Sequence, residues 1–313
     1  MPDFQEALNA LAAHERLKRT QTRQLSDLDL QQVEQFSAVW SSLPDPERIS
    51  LLATLKRHAE EDALPDFSAL YELATEDPNA DVRRVAIGAS VDDQSLQLLT
   101  RLLQLTSSDP EAMVRRAAAE RLGGFAYDAE VGILPPECVQ QIQTVLLERI
   151  QSETEELGVR SAALASVGYF STEEVRSEIR RALTRSGLKI PALRAIGRNI
   201  DPIWTDTLTQ GMASEDPDIR REAAEAAADY EGTVDALADL VDDPEISVRL
   251  TAIASLGQIG SPEARDILVY CYESENPAIK EAAAEALEAI DTEDNPLGNT
   301  GLISPSEEED DLQ

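Results

Sequence analysis

Seven times along this 313-residue chain a bulky aliphatic residue is followed by a base and then by an alanine-rich run, and the spacing of those anchors limits the fold more than any other feature. The anchors are Val82-Arg83, Val114-Arg115, Val159-Arg160, Leu188-Lys189, Ile219-Arg220, Val248-Arg249 and Ile279-Lys280, separated by 32, 45, 29, 31, 29 and 31 residues. A self-similar period of about 30 residues is the mark of stacked repeats, and the one long interval marks an insertion. That insertion is placed at residues 125–136, FAYDAEVGILPP. Asx-Pro pairs punctuate the same array at Asp45, Asp77, Asp109, Asp201, Asp216, Asp243 and Asn276. An Asx oxygen caps free N–H groups, and a proline in the first turn has no N–H to leave unsatisfied, so each pair predicts a helix start.

Between consecutive alanine-rich runs lie stretches with leucines at helical spacing, at 95–105, 233–243 and 264–274, so each unit reads as two helices. Ser171 with Glu174 fits a capping box, and Ser261-Pro262-Glu263 places a cap, a first-turn proline and a first-turn acid in order. Gly123-Gly124 reads as a helix end. Alternation of period two is absent over any useful length, which predicts an all-α solenoid of about seven or eight helical pairs. Within Val248 to Gly257, Val248, Ala252 and Leu256 form one ridge, and its alanine lets a neighbouring helix approach closely.

Around the array, which spans residues 30–290, residues 1–29 predict a capping helix with Phe4, Ala7, Leu8 and Leu11 on one face. From Asp291 to Gln313 the chain carries eight acids and no base, the composition of a disordered tail. The formal net charge of −33 makes binding to nucleic acid or to an anionic membrane surface unfavourable. It is unevenly spread: residues 77–205 hold 15 bases and 18 acids, residues 206–313 hold 5 and 28. A near-neutral middle beside a strongly negative carboxyl half suits steering of a charged protein partner. No apolar run reaches membrane-span length, and the acidic amino terminus does not resemble a secretory leader, so the expected location is the cytoplasm. Cys138 and Cys271 lack metal-ligand spacing and read as buried free thiols.

The pattern D-P-x-x-x-V-R-x-x-A-x-x-A-x-x-G, preceded by a leucine-rich helix, resembles the HEAT repeat, in particular the short bacterial type also found in phycobilisome lyases. The copies beginning at 77, 109, 216, 243 and 276 match well, those at 159 and 188 more loosely. Asp229 and Tyr230 stand where the repeat closes with glycine, and Pro191 falls early in its helix. The resemblance implies a right-handed α-α superhelix whose second helices line a concave, protein-binding face. It also implies that the base after each anchor bonds a turn aspartate of its own or a neighbouring unit. HEAT-like deoxyhypusine hydroxylase holds iron through several His-Glu dipeptides. This chain has one, His14-Glu15, outside the repeats, which speaks against that activity.

No P-loop, GxGxxG, HExxH or GxSxG occurs, and the two histidines, His14 and His58, read as helix-surface residues, so neither catalysis nor a cofactor is expected. Helical geometry turns the positions two and six beyond each anchor away from the packed ridge. Those positions nominate Arg84, Arg116, Glu120, Ile190, Arg194, Arg221, Glu225 and Leu250 as partner-binding residues, with Ser161 and Ala165 on the loose copy between them. Tyr127, Tyr169, Phe170 and Tyr230, with Trp40 and Trp204, read as filler between repeats. The expected function is that of a non-catalytic scaffold or adaptor presenting a preformed face to a protein. The alternatives are a lyase-like chaperone holding a tetrapyrrole and an acidic decoy of a nucleic-acid-binding protein.

Overall fold

A computed structural model of the chain describes residues 3–62 and 65–294. Every regular element among them is helical. Two short helices, α1 (Phe4–Ala12) and α2 (Arg19–Thr22), precede eight helical pairs. Five pairs lie in a first compact unit, Met1–Asn199. They are α3 (Leu30–Trp40) with α4 (Asp45–Glu61), α5 (Ser68–Ala74) with α6 (Ala80–Ala89), α7 (Leu96–Ser108) with α8 (Ala112–Glu130), α9 (Pro136–Gln151) with α10 (Leu157–Val167), and α11 (Glu173–Leu183) with α12 (Lys189–Asn199). A second unit, Ile200–Gln313, holds α13 (Thr205–Met212) with α14 (Pro217–Ala226), α15 (Val234–Leu240) with α16 (Ile246–Ile259), and α17 (Pro262–Tyr272) with α18 (Pro277–Asp294).

Within each unit, second helices pack on second helices: α4 on α6, α6 on α8, α8 on α10, α10 on α12, and separately α14 on α16 and α16 on α18. The anchors explain this order. Val82, Val114, Val159, Leu188, Val248 and Ile279 are buried and Ile219 is half-buried, so each alanine-rich helix turns its anchor ridge into the stack. Small residues then set how closely the helices approach. At the end of α10, a Cβ on Gly168 would lie 2.5 Å from the Ala195 carbonyl oxygen on α12.

The predicted elements shift in several places. The amino-terminal segment is not one continuous helix: it breaks after Ala12, and His14 takes a φ of 58°. Its apolar face still covers the first pairs, with Ala7, Leu8 and Leu11 buried in the same core as Phe36, Leu52 and Leu55. Gly123-Gly124 is not a helix end but lies inside α8, because Phe125, Ala126 and Ala129 continue the buried face into the first residues of the segment read as an insertion. The cap of α11 is Thr172, one residue beyond Ser171, and its oxygen accepts from the Val175 N–H. The acidic tail lies outside the described residues beyond Asp294; its first residues belong to α18.

Five of the seven Asx-Pro pairs fall into two kinds, while Asp45 is itself the first residue of α4 and Asp201 caps a short 3-10 turn. Asp216 and Asn276, three residues before their anchors, sit directly before a helix with proline in its first position. Asp77, Asp109 and Asp243, five residues before theirs, stand a turn earlier, where each accepts the N–H of the residue two further on, at 2.8, 2.9 and 2.9 Å. That placement frees the remaining carboxylate oxygen lone pairs for the arginine of the preceding unit. Arg83 binds Asp109 through Nε and Nη2, both at 2.8 Å, and Arg220 binds Asp243 at 2.6 and 2.9 Å. Arg115 binds Glu155 in the same way at 3.1 and 2.7 Å, so a glutamate substitutes where the spacing is 45 residues. In each rung Nη1 reaches back to the carbonyl six residues earlier, Asp77, Asp109 and Ser214, at 2.7 to 2.9 Å. Arg48 opens the series on Asp77, which also accepts from the Trp40 indole at 2.8 Å.

The paired geometry makes stability depend on pH with a definite sign. Its bond with Arg220 holds the Asp243 carboxyl below the usual carboxylate range, against the opposing effect of burial. A depressed folded-state value means that the stabilisation is present above the unfolded pKa of about 3.9 and is lost as the pH falls through the folded one. The expected result is that wild type and Asp243→Asn differ clearly in urea midpoint at pH 6 and that the gap narrows only below about pH 4, as the pH falls through the depressed folded value. A gap that stays constant across that range would show that the rung does not titrate.

Candidate functional site: an arginine-lined groove on α8, α10 and α12

The second helices of the first unit carry an arginine-lined recess. On α10, Gly158, Ser161 and Ala165 place only small side chains along the outward face, while α8 and α12 on either side carry long ones. The result is a groove of about 510 Å³ lined by Arg116 and Glu120 from α8 and by Arg194 and Arg198 from α12, with Leu157 at one end. Its form follows from the sequence, since a helix with glycine, serine and alanine at its groove-facing positions stands lower than neighbours that carry arginine.

The recess gathers Arg116, Arg194 and Arg198 beside one lining carboxylate, Glu120, in a chain of net charge −33. Arg116 donates to Glu120 at 2.8 Å, a pair more than half exposed on both sides and therefore readily exchanged for another partner. Arg198 stacks over the Tyr169 ring at 5.2 Å, and Tyr169 meets Tyr127 edge-on at 5.6 Å. Tyr127 is 51% exposed, so the arginine wall continues into an accessible aromatic pair rather than into filler. Two serines line the groove and neither histidine does; the arrangement offers anion binding and apolar contact but no nucleophile beside a base.

The positions two and six beyond the anchors therefore fall into separate groups. Arg116, Glu120, Arg194, Ser161 and Ala165 come together in the groove, with half-buried Ile190 one residue from its Pro191. Arg84 lies apart on α6, in an exposed pair with Asp81 at 3.5 Å. Arg221 and Glu225 belong to the second unit and pair with each other at 3.4 Å on α14. Leu250, on α16 of that unit, is half-buried by its own stack, as Ile190 is on α12. Arg198 and Tyr169 went unnominated although they are the next members of the same series, ten residues beyond Leu188 and Val159.

The histidines lie elsewhere. His14 is not on a helix: it sits in a loop and bonds Glu47 at 2.9 Å. His58 is not a surface residue: it is only 6% exposed on α4, and burial with nearby arginines pushes its pKa down. Both cysteines are buried free thiols, and burial raises that of Cys271 to about 11. Among the described residues no three His, Cys, Asp or Glu side chains converge as metal ligands, and no helix is long and apolar enough to cross a membrane.

The sequence pattern of HEAT repeats matches residues 234–296. No curated protein matches the chain. Among solved structures, Kap95p from its complex with RanGDP aligns with 92% of this chain and 45% of its own at 12% identity and a TM-score of 0.50. The Escherichia coli protein YibA aligns over 88% of this chain and 98% of its own, at 16% identity and a TM-score of 0.47. Human deoxyhypusine hydroxylase in complex with glycerol aligns over 83% and 96%, at 17% identity and a TM-score of 0.35. The likeness to Kap95p is of fold alone.

Proposed function

We propose that this helical-repeat chain, which matches HEAT repeats over residues 234–296, is a non-catalytic interaction scaffold and that the groove on α8, α10 and α12 receives an acidic segment of a partner protein. The observation that carries this reading is the gathering of Arg116, Arg194 and Arg198 around small side chains in one recess of a strongly acidic chain. Arginine forks suit carboxylates, and the exposed Tyr127–Tyr169 pair adds apolar area of the kind that anchors interfaces. The surface is preformed on helices, so little ordering entropy is lost when a partner binds. Kap95p, a protein of the same general fold, is known from its complex with RanGDP, which illustrates partner binding by such an array.

The test is affinity capture from lysate with identification of what binds, comparing wild type, Arg116→Glu/Arg194→Glu/Arg198→Glu and Arg84→Glu, all with equal helical circular dichroism. The triple variant is expected to lose an acidic partner by tenfold or more, since reversing charges at a desolvated contact costs at least about 1.4 kcal/mol. Arg84→Glu is expected to retain it. Equal capture by all three proteins removes the groove from the function, and a copurifying pigment in place of a protein favours the tetrapyrrole-holding alternative.

A further inference from the structure

The arginine rungs that tie one unit to the next stop short at Arg249, and we infer that this residue forms a notch that binds a carboxylate supplied from outside the repeat. Arg249 begins like Arg83, Arg115 and Arg220: its Nη1 donates to the Asp243 carbonyl, six residues earlier, at 2.7 Å, within the range of those three closed rungs. In those rungs Nε and Nη2 then take both oxygens of a carboxylate on the following turn. For Arg249 the following turn offers Ser274, five residues before the anchor Ile279, where Asp77, Asp109 and Asp243 stand before theirs. The Ser274 oxygen accepts the Asn276 N–H at 3.2 Å, which reproduces the turn but not the acceptor for the guanidinium. Among the described residues no hydrogen bond or ion pair engages Arg249 Nε or Nη2.

The place of the missing carboxylate is open. A cavity of about 410 Å³ lies there, bounded by Arg249, Ser274, Asn276, Tyr270 and the buried Cys271. It has room for a carboxylate together with the carbons that bear it. Two acids, Asp242 and Glu273, also border it without pairing with Arg249. Their charge selects among anions. It opposes a phosphate dianion about twice as strongly as a carboxylate monoanion, while the planar fork matches the two oxygens of a carboxylate. The ligand class is therefore a single carboxylate, from the side chain of an Asp or Glu or from a small organic acid. Acids in residues 295–313 of this chain are one source and a separate molecule is the other.

The experiment follows the arginine Nε–Hε signals of arginine-labelled full-length protein by NMR during titration with sodium acetate, with sodium chloride at matched ionic strength as control. The Arg249 signal is identified by its loss in Arg249→Lys. It is expected to shift with acetate and not with chloride, while the signals of Arg83, Arg115 and Arg220, already bound to carboxylates, stay in place. Ser274→Asp fills the notch from within: the Arg249 signal moves to the region of the closed rungs, stops responding to acetate, and Tm rises by about 2–4 °C. Ser274→Ala keeps the response. A signal that responds only after residues 295–313 are removed assigns the site to the chain's own acids; response in the full chain assigns it to an external carboxylate. The inference is overturned if acetate moves the signal in neither chain, if chloride moves it equally, or if Ser274→Asp still responds.

Discussion

Gly168→Ala is expected to destabilise the first unit by about 3 kcal/mol or more, read as a fall in the urea midpoint at constant slope. The added Cβ would lie 2.5, 2.6 and 2.9 Å from the oxygen, Cα and carbonyl carbon of Ala195. All three are backbone atoms, so no rotamer change relieves the clash and α10 must move away from α12. That movement also strains Asn199, whose side-chain amide donates to the carbonyls of Gly168 and Phe170, both at 3.0 Å. The cost therefore sits near the top of the range for overpacked cores. Gly88→Ala supplies the contrast: it lies within α6 and its Cβ would meet nothing within 4 Å, so helix propensity alone predicts a gain of about 0.5–1 kcal/mol. If both substitutions have the same sign, close approach at Gly168 is not what sets the helix spacing.

Asp109→Ala is expected to cost about 3–5 kcal/mol, the range for breaking a buried ion pair from one side. Arg83 and Asp109 are 9% and 4% exposed at their side chains, and their two bonds are parallel and short. Removing the carboxylate leaves a guanidinium held only by the carbonyls of Asp77 and Pro78, and deprives the Glu111 N–H of its acceptor. Arg83→Met/Asp109→Leu should recover much of that loss, because the expense lies in the stranded charge rather than in the missing attraction. A double-mutant cycle measures this directly. A single-variant loss below about 1 kcal/mol would mean that water replaces the aspartate and that the rung is effectively exposed.

The class of fold was legible because it rests on spacing. Anchors at Val82, Val114 and Val248 repeat with the period of a helical pair, and each is buried as the ridge pattern requires. Boundaries were less legible where two local rules compete. At Gly123-Gly124 the preference of glycine for helix ends yields to the buried face continued by Phe125, Ala126 and Ala129, and the close Ser166 side chain gives Gly123 a packing reason for being small. At Asp77, Asp109 and Asp243 a capping signal was present but its distance from the anchor, five residues rather than three, carried the structural meaning. The groove was half legible. Arg116, Glu120 and Arg194 followed from helical geometry, whereas its depth depends on the absence of side-chain bulk at Gly158, Ser161 and Ala165. Small residues read as close packing in any one helix, and only the neighbouring helices show that here they leave space.

The rungs also determine where this chain can be cut. A helical pair is the visible module, yet Arg83 of one pair is completed by Asp109 of the next turn, and Arg220 by Asp243. A fragment ending at Ser108, the last residue of α7, would keep whole helices and strand an arginine. One extended through Glu111 would retain the aspartate and the N–H it accepts. For truncation, grafting or insertion of extra repeats, the transferable segment accordingly runs from base to acid, out of phase with the helices by about one turn.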